Sequence, residues 1–190
     1  MIFAAGLGTR LKPLTDHMPK ALAPVAGKPM LEHVIEKLKA SGFDEIVINV
    51  HHFANQIIDF LKAKDNFGIK IWISDETDEL LDTGGGIKKA SGYFDEPFLV
   101  HNADILSNVD LRAMYDYHLK SDNDATLLVS PRKTVRYLIF DENNHLQGWV
   151  NKDTMQTKPK GFVYQFWLYK AKYLVNLKSA KVVLKNSLIF

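Results

Sequence analysis

Apolar residues along this chain fall into short runs separated by polar breaks, and the spacing inside the runs switches between the period of a strand and that of a helix. Residues 1–5 (MIFAA) form a continuous apolar run that stops at Gly6, which predicts a short buried strand. Over residues 29–41 the apolar Met30, Leu31, Val34, Ile35 and Leu38 recur at helical spacing, Gly42 supplies the stop, and the charged face reads as solvated. Residues 45–50 (EIVINV) are nearly all apolar, as a strand covered on both faces should be. Residues 55–64 predict an amphipathic helix with Ile57, Ile58 and Leu61 inward, and residues 69–74 a third strand. A helix beginning near Ile87, a fourth strand over 97–102 and a helix over 111–121 follow. Residues 125–130 and 161–169 read as strands, and 137–140 with 146–150 as a hairpin about the turn 141–144. Alternation of strand and helix of this kind builds a Rossmann-like α/β sheet, and no internal repeat or low-complexity segment interrupts it.

The break after the first strand carries the most chemistry. Gly6 and Gly8 let the backbone turn sharply with positive φ and bring its N–H groups close to a ligand, because no Cβ intervenes. A row of such donors at the carboxyl end of a strand suits phosphate oxygens, so a nucleoside triphosphate is expected here. Arg10 adds a planar fork for terminal phosphates and Lys20 a mobile point charge for the phosphorus that reacts, with Pro13 and Pro19 stiffening the connection. The loop is not a dinucleotide fingerprint, since its third glycine position is Leu11 and the next strand ends in Val50 and His51 without an acid. Nor is it a P-loop, because a single residue separates Gly6 from Gly8 and Thr9-Arg10 follows. A lone GxG is most often an ordinary turn; the sequel TRLKPLT and Pro19-Lys20 sets this one apart.

Three later stretches add candidates. His51-His52 stands at the carboxyl end of the second strand, where ligands gather in open α/β sheets, but adjacent strand residues point to opposite sides and no third metal ligand has suitable spacing. Residues 81–89 (LDTGGGIKK) place three glycines before the expected helix at Ile87, and bare backbone there can lie flat against a planar group and offer N–H and C=O to its edge; a flexible linker is the alternative. Asp104 falls just beyond the fourth strand, where a carboxylate either holds a hard divalent cation or caps the next turn.

The bulk numbers bound these readings. A chain of 190 residues suits one domain with a real core. There is no apolar run of about eighteen residues to span a membrane and no basic-then-apolar leader, and the absence of cysteine removes disulfides and thiolate zinc sites and makes a cytoplasmic setting the default. The net charge is +2; since residues 161–190 carry five lysines and no acid, the first 160 residues sum to −3, which does not suit a nucleic-acid binder.

The segment GLGTRLKPLTDHMPKALAPVAGKPML, residues 6–31, resembles the signature of the sugar-1-phosphate nucleotidyltransferases, or NDP-sugar pyrophosphorylases. That resemblance implies a mixed, mostly parallel sheet flanked by helices, of the nucleotide-diphospho-sugar transferase (GT-A-like) type, over residues 1–169. It implies transfer of a nucleotidyl group from an NTP to a sugar 1-phosphate, with Mg²⁺ as cofactor and a monomer or weak homo-oligomer as the assembly. Ala5, Gly6, Gly8 and Thr9 would line the phosphate loop, Arg10 would hold the departing pyrophosphate and Lys20 the α-phosphate, and Asp104 would be a magnesium ligand. Thr83, Gly84, Gly85 and Gly86 match the segment that contacts the base. Trp149 and Asn151 lie in the half that forms much of the sugar-phosphate pocket and are its candidates, although core or edge packing is the better reading of the tryptophan. TGGGI at 83–87 and the short chain look most similar to the N-acetylmuramate-1-phosphate uridylyltransferases, of bacterial cell-wall synthesis, with mannose-1-phosphate guanylyltransferases next; UTP is therefore favoured over GTP.

The end of the chain departs from the family pattern. Residues 170–190 are lysine-rich and without acids, so the family's second metal ligand has no assignable counterpart, Asn176 and Asn186 lacking a matching local motif. The tail reads as that of a truncated or frame-shifted member, which keeps open a rival of another class, a catalytically silent nucleotide-binding module.

Overall fold

In the computed structural model, which describes residues 1–121, 123–130, 134–143, 145–154, 156–158, 162–166 and 180–184, the first apolar run contributes a strand of only two residues, β1 (Ile2–Phe3). After the glycine loop a small hairpin, β2 (Pro24–Val25) and β3 (Lys28–Pro29), turns through Ala26 and Gly27, both with positive φ, and leads into α1 (Met30–Ala40). The expected apolar stripe is the buried face of α1: Leu31, Val34, Ile35 and Leu38 are all buried. Gly42 ends this helix as expected, with φ +83° and the paired bonds Phe43 N–H to Leu38 O (3.1 Å) and Gly42 N–H to Lys39 O (3.0 Å) that close a helix through a left-handed residue.

Next come β4 (Glu45–Val50), α2 (Ala54–Ala63), β5 (Lys70–Asp75), α3 (Asp82–Lys89) and β6 (His101–Asn102). The four longer-range strands form a parallel sheet in the order β5-β4-β1-β6, with Ile2 beside Ile48 and His101, and Phe3 beside Asn49 and Asn102. Every residue of β4 after Glu45 is buried, as its nearly all-apolar run requires, while edge strand β5 alternates between exposed and covered positions from Lys70 to Ile73. The expected fourth strand over 97–102 shortens to His101–Asn102, because its partner β1 leaves the sheet after Phe3 and a ladder is no longer than its shorter member. These elements make the first of two compact units, Met1–Asp95 with Val100–Arg112.

The second unit, Glu96–Leu99 with residues from Ala113 to Leu188, holds most of α4 (Leu111–Leu119) and a largely antiparallel sheet. Its strands are β7 (Ala125–Ser130), β8 (Arg136–Phe140), β9 (Leu146–Asn151), β10 (Gln156–Lys158), β11 (Phe162–Phe166) and β12 (Ala180–Leu184), in the order β10-β9-β8-β11-β7-β12. The hairpin β8-β9 forms about the expected turn, where Asp141 Oδ1 accepts from the amides of Asn143 (3.0 Å) and His145 (2.8 Å). Leu127, Val129, Leu138 and Phe140 make its core, with Leu146 packed on them. Within the lysine-rich tail, Ala180–Leu184 pairs in parallel with β7; Asn176 and Asn186 lie outside the described residues.

His101 is the titratable group most deeply set in the parallel sheet. It is 1% exposed, with Nδ1 2.7 Å from the Asn102 carbonyl, and burial pushes its imidazole down to about 4, Lys37 adding to the effect and Asp104 opposing it. The unfolded chain therefore takes up this proton near pH 6.5, well before the folded one does, and stability contributed by neutral His101 is complete at neutral pH and lost as pH falls toward 4. Urea unfolding at pH 7 and pH 5 is expected to differ by roughly 2 kcal/mol from this group. In His101→Leu the difference should shrink by about that amount, the buried Met1 amine, itself pushed down to about 5, keeping its own share; a variant with an unchanged pH slope would remove the imidazole as a source.

Candidate functional site

The glycine loop, residues 5–9, begins where β1 ends. The Ala4 amide donates to Asn49 Oδ1 at 2.8 Å, Ala5 is buried, and Gly6 is exposed with open space around it. Positive φ, expected at both loop glycines, occurs at Gly8 alone, with φ +68° and ψ 17°. Gly8 is held there by its surroundings: its carbonyl accepts from the Thr15 hydroxyl (2.9 Å) and the Leu11 amide (2.9 Å), and a Cβ on it would lie 2.9 Å from Thr15 Cγ2 and 3.1 Å from Lys20 Cβ. Thr9 and Arg10 stand exposed on the 3₁₀ turn Thr9–Leu11 that follows.

Lys20 opens the 3₁₀ turn Lys20–Leu22, and its partly buried ammonium makes an ion pair with Asp104, two residues past the end of β6. Sequence reading assigned these two residues to separate tasks; the fold brings them into contact across 84 positions of chain.

A cavity of about 170 Å³ opens beside the loop, lined by Ala5 and Gly6, by Asp82 and Thr83 at the start of α3, by Asn102 of β6, and by Asn49 and Glu76. The glycine segment corrects the expected helix start near Ile87: Gly84, Gly85 and Gly86 are inside α3, which begins at Asp82. Glycine is tolerated in that helix because the backbone is closely approached. A Cβ on Gly86 would lie 2.8 Å from Glu76 Oε1 and 3.1 Å from Asn49 Nδ2, and one on Gly85 2.8 Å from Leu81 Cβ. Thr83 and Gly84 are exposed.

Three residues at the site escaped the sequence reading. Thr15 resembles any loop threonine; Asn49 is the one polar position within the otherwise apolar run IVINV; Glu76 sits in the acidic stretch DETDE, yet its side chain has no exposed surface. Asn49 carried a signal, a polar residue in a strand covered on both faces, whereas Glu76 carried none.

The family model described as nucleotidyl transferase matches residues 1–181. The chain belongs to this family. The resemblance of residues 6–31 to sugar-1-phosphate nucleotidyltransferases is thereby confirmed. Among its relatives, an N-acetylmuramate alpha-1-phosphate uridylyltransferase of Caulobacter vibrioides is 46% identical over 107 residues, which cover 55% of this chain and 44% of that protein. Mannose-1-phosphate guanylyltransferase 1 of Arabidopsis thaliana is 38% identical over 161 residues, covering 80% of this chain and 44% of that protein. This nucleotidyl transferase chain thus spans less than half the length of both relatives. Its fold matches a crystal structure of HddC from Yersinia pseudotuberculosis complexed with GMP-PN at a TM-score of 0.78, with 24% identity, over 100% of this chain and 91% of that one. The mostly parallel nucleotidyltransferase sheet with flanking helices is the expected fold class.

Two candidate groups are not among the residues that line the cavity. Trp149, half-exposed, and Asn151 lie on β9 of the second unit, where Trp149 pairs with Leu138 and Lys158. His52 packs its ring 4.0 Å from that of Phe53, and among the described residues no group of three His, Cys, Asp or Glu side chains converges on a metal position. No described helix is long and apolar enough to cross a membrane.

Proposed function

We propose that the chain transfers a nucleotidyl group from an NTP, UTP in preference to GTP, to a sugar 1-phosphate, releasing an NDP-sugar and pyrophosphate. The observation that carries this reading is the contact of Lys20 with Asp104 at the carboxyl end of the parallel sheet, next in sequence to a glycine loop shaped by Thr15. A sugar 1-phosphate oxygen attacks the α-phosphorus as the bond to the β-phosphate oxygen breaks, and the electron pair leaves on pyrophosphate. The nucleophile is already anionic at neutral pH, so no general base is required. Lys20 neutralises charge on the α-phosphate, Arg10 receives the leaving pyrophosphate, and the loop amides from Ala5 to Thr9 orient the chain of phosphates. Thr83 to Gly86 contact the base, and Trp149 and Asn151 are the proposed sugar contacts.

The residues present suit a magnesium ion. Asp104 supplies one hard, partly exposed carboxylate that already accepts the Lys20 ammonium, and a cation held mainly by substrate phosphates and water needs little more from the protein. When bound there, Mg²⁺ supplies charge neutralisation of the phosphates. UTP is preferred because the TGGG segment and the relative of highest identity above both point to the uridylyltransferases, while the plant relative uses a GTP-type name. An N-acetylated cell-wall sugar, a cytoplasmic setting and a monomer or weak homo-oligomer complete the proposal.

The test is pyrophosphate release by the purified chain with Mg²⁺, using UTP, GTP, CTP and dTTP against a panel of sugar 1-phosphates. Release with one pair fixes both substrates. Nucleotide binding with no release from any pair would move the silent binding module to first place.

A further inference from the structure

Two buried polar side chains with no part in the chemistry above lie between the phosphate loop and the glycine helix. Asn49, 2% exposed, accepts at Oδ1 from the Ala4 amide and donates from Nδ2 to Glu76 Oε1, each at 2.8 Å. Glu76, wholly buried, accepts at Oε2 from the Leu81 amide at 3.3 Å. A continuous line of hydrogen bonds therefore runs from Ala4, directly before the loop, to Leu81, directly before α3. Gly86 comes against the middle of that line, where any Cβ would collide with both side chains. No described cation pairs with Glu76, and a buried carboxylate held only by neutral donors is an expensive way to fill a core that an apolar side chain would fill at less cost. Its geometry has a different use: it links two segments, about 75 residues apart in the chain, that line the same cavity.

We propose that Asn49 and Glu76 are positioning residues that set the separation of the phosphate loop from α3, so that a single nucleotide meets the loop with its phosphates and the helix with its base. This rests on the reading of the site given above. Ligand groups on two elements bind one molecule tightly only when their spacing is fixed before it arrives, and a fully satisfied buried network fixes it.

The direction of the hydrogen bonds supplies the test. In Asn49→Asp two carboxylates face one another. In Glu76→Gln one amide N–H₂ must face a donor, either that of Asn49 or the Leu81 amide. In the double variant N49D/E76Q the central bond reverses: the new carboxylate accepts from Ala4 and from the new amide, whose oxygen accepts from Leu81, and the buried charge is conserved. Titration calorimetry with UTP and with GTP in the presence of Mg²⁺, alongside thermal melts, is expected to show each single variant binding the nucleotide about tenfold more weakly or worse. The double variant should return to within about threefold of the unsubstituted chain, since no buried group is left unpaired.

Singles that stay folded and bind as the unsubstituted chain does would reduce the pair to a fold-stabilising contact and overturn the proposal. If a single variant does not fold, the double carries the test: restored binding supports the proposal, whereas a double that folds but binds weakly, or does not fold, overturns it. A starting chain that binds neither nucleotide sinks the reading of the site itself and this proposal with it, an outcome separate from unchanged affinity in the variants.

Discussion

Lys20→Ala is expected to lower pyrophosphate release by about 10²–10³-fold, the usual loss when one charge-stabilising group is removed from a transition state. Stability should change little, by less than about 1 kcal/mol, because the lost ion pair to Asp104 is partly open to solvent. Alanine also keeps the Lys20 Cβ that packs toward Gly8. Asp104, with side-chain exposure of 31%, is left facing water rather than sealed in the core. The measurement pairs steady-state release with a thermal melt of the same preparation. Activity and stability falling together in proportion would mean that Lys20 holds the structure and takes no part in the chemistry.

Gly8→Ala is the second large effect, and it works through geometry. At φ +68° a residue with a Cβ pays for a left-handed conformation, and here that Cβ also meets Thr15 Cγ2 at 2.9 Å and Lys20 Cβ at 3.1 Å. The atoms it meets sit close to their own backbones, so the loop itself must shift. A cost of about 1–3 kcal/mol is expected from strain and overpacking. Displacement of Lys20 by a fraction of an ångström to about 1 Å should then cost a further 10²-fold or so in turnover. Gly6→Ala is the control: its φ is ordinary and nothing lies within 4 Å of the added Cβ, so the melting temperature should hold. Equal destabilisation of the two variants would discredit the packing argument at Gly8.

The two glycines show where local sequence stops being informative. Both belong to the same GLG, and the chain alone offers no reason to separate them. Thr15 and Lys20 separate them, by supplying the hydroxyl and the side-chain contact that select the left-handed turn at one position. The TGGG segment is a stronger case. Three glycines lower helix propensity enough to predict a loop, yet α3 runs through them; the glycines at 85 and 86 are there because Leu81 crowds a Cβ at the first, and Glu76 and Asn49 crowd one at the second. The helix end at Gly42, by contrast, was readable from local signals, since the capping bonds join residues five or fewer apart.

What the sequence determined by itself was whatever depends on period and on near neighbours: the stripe of α1, the buried run of β4, the turn of the β8-β9 hairpin, and the glycine break that ends the first strand. Tertiary structure decided the rest. It limited β6 to the length of its partner, buried Glu76 as an acceptor, and joined Lys20 to Asp104. It also put the later strands in a largely antiparallel sheet of their own. The physical reason is common to all four. Periodicity records which face of an element is covered, but the identity of the covering partner, and hence the fate of each polar atom, is settled only when distant segments meet.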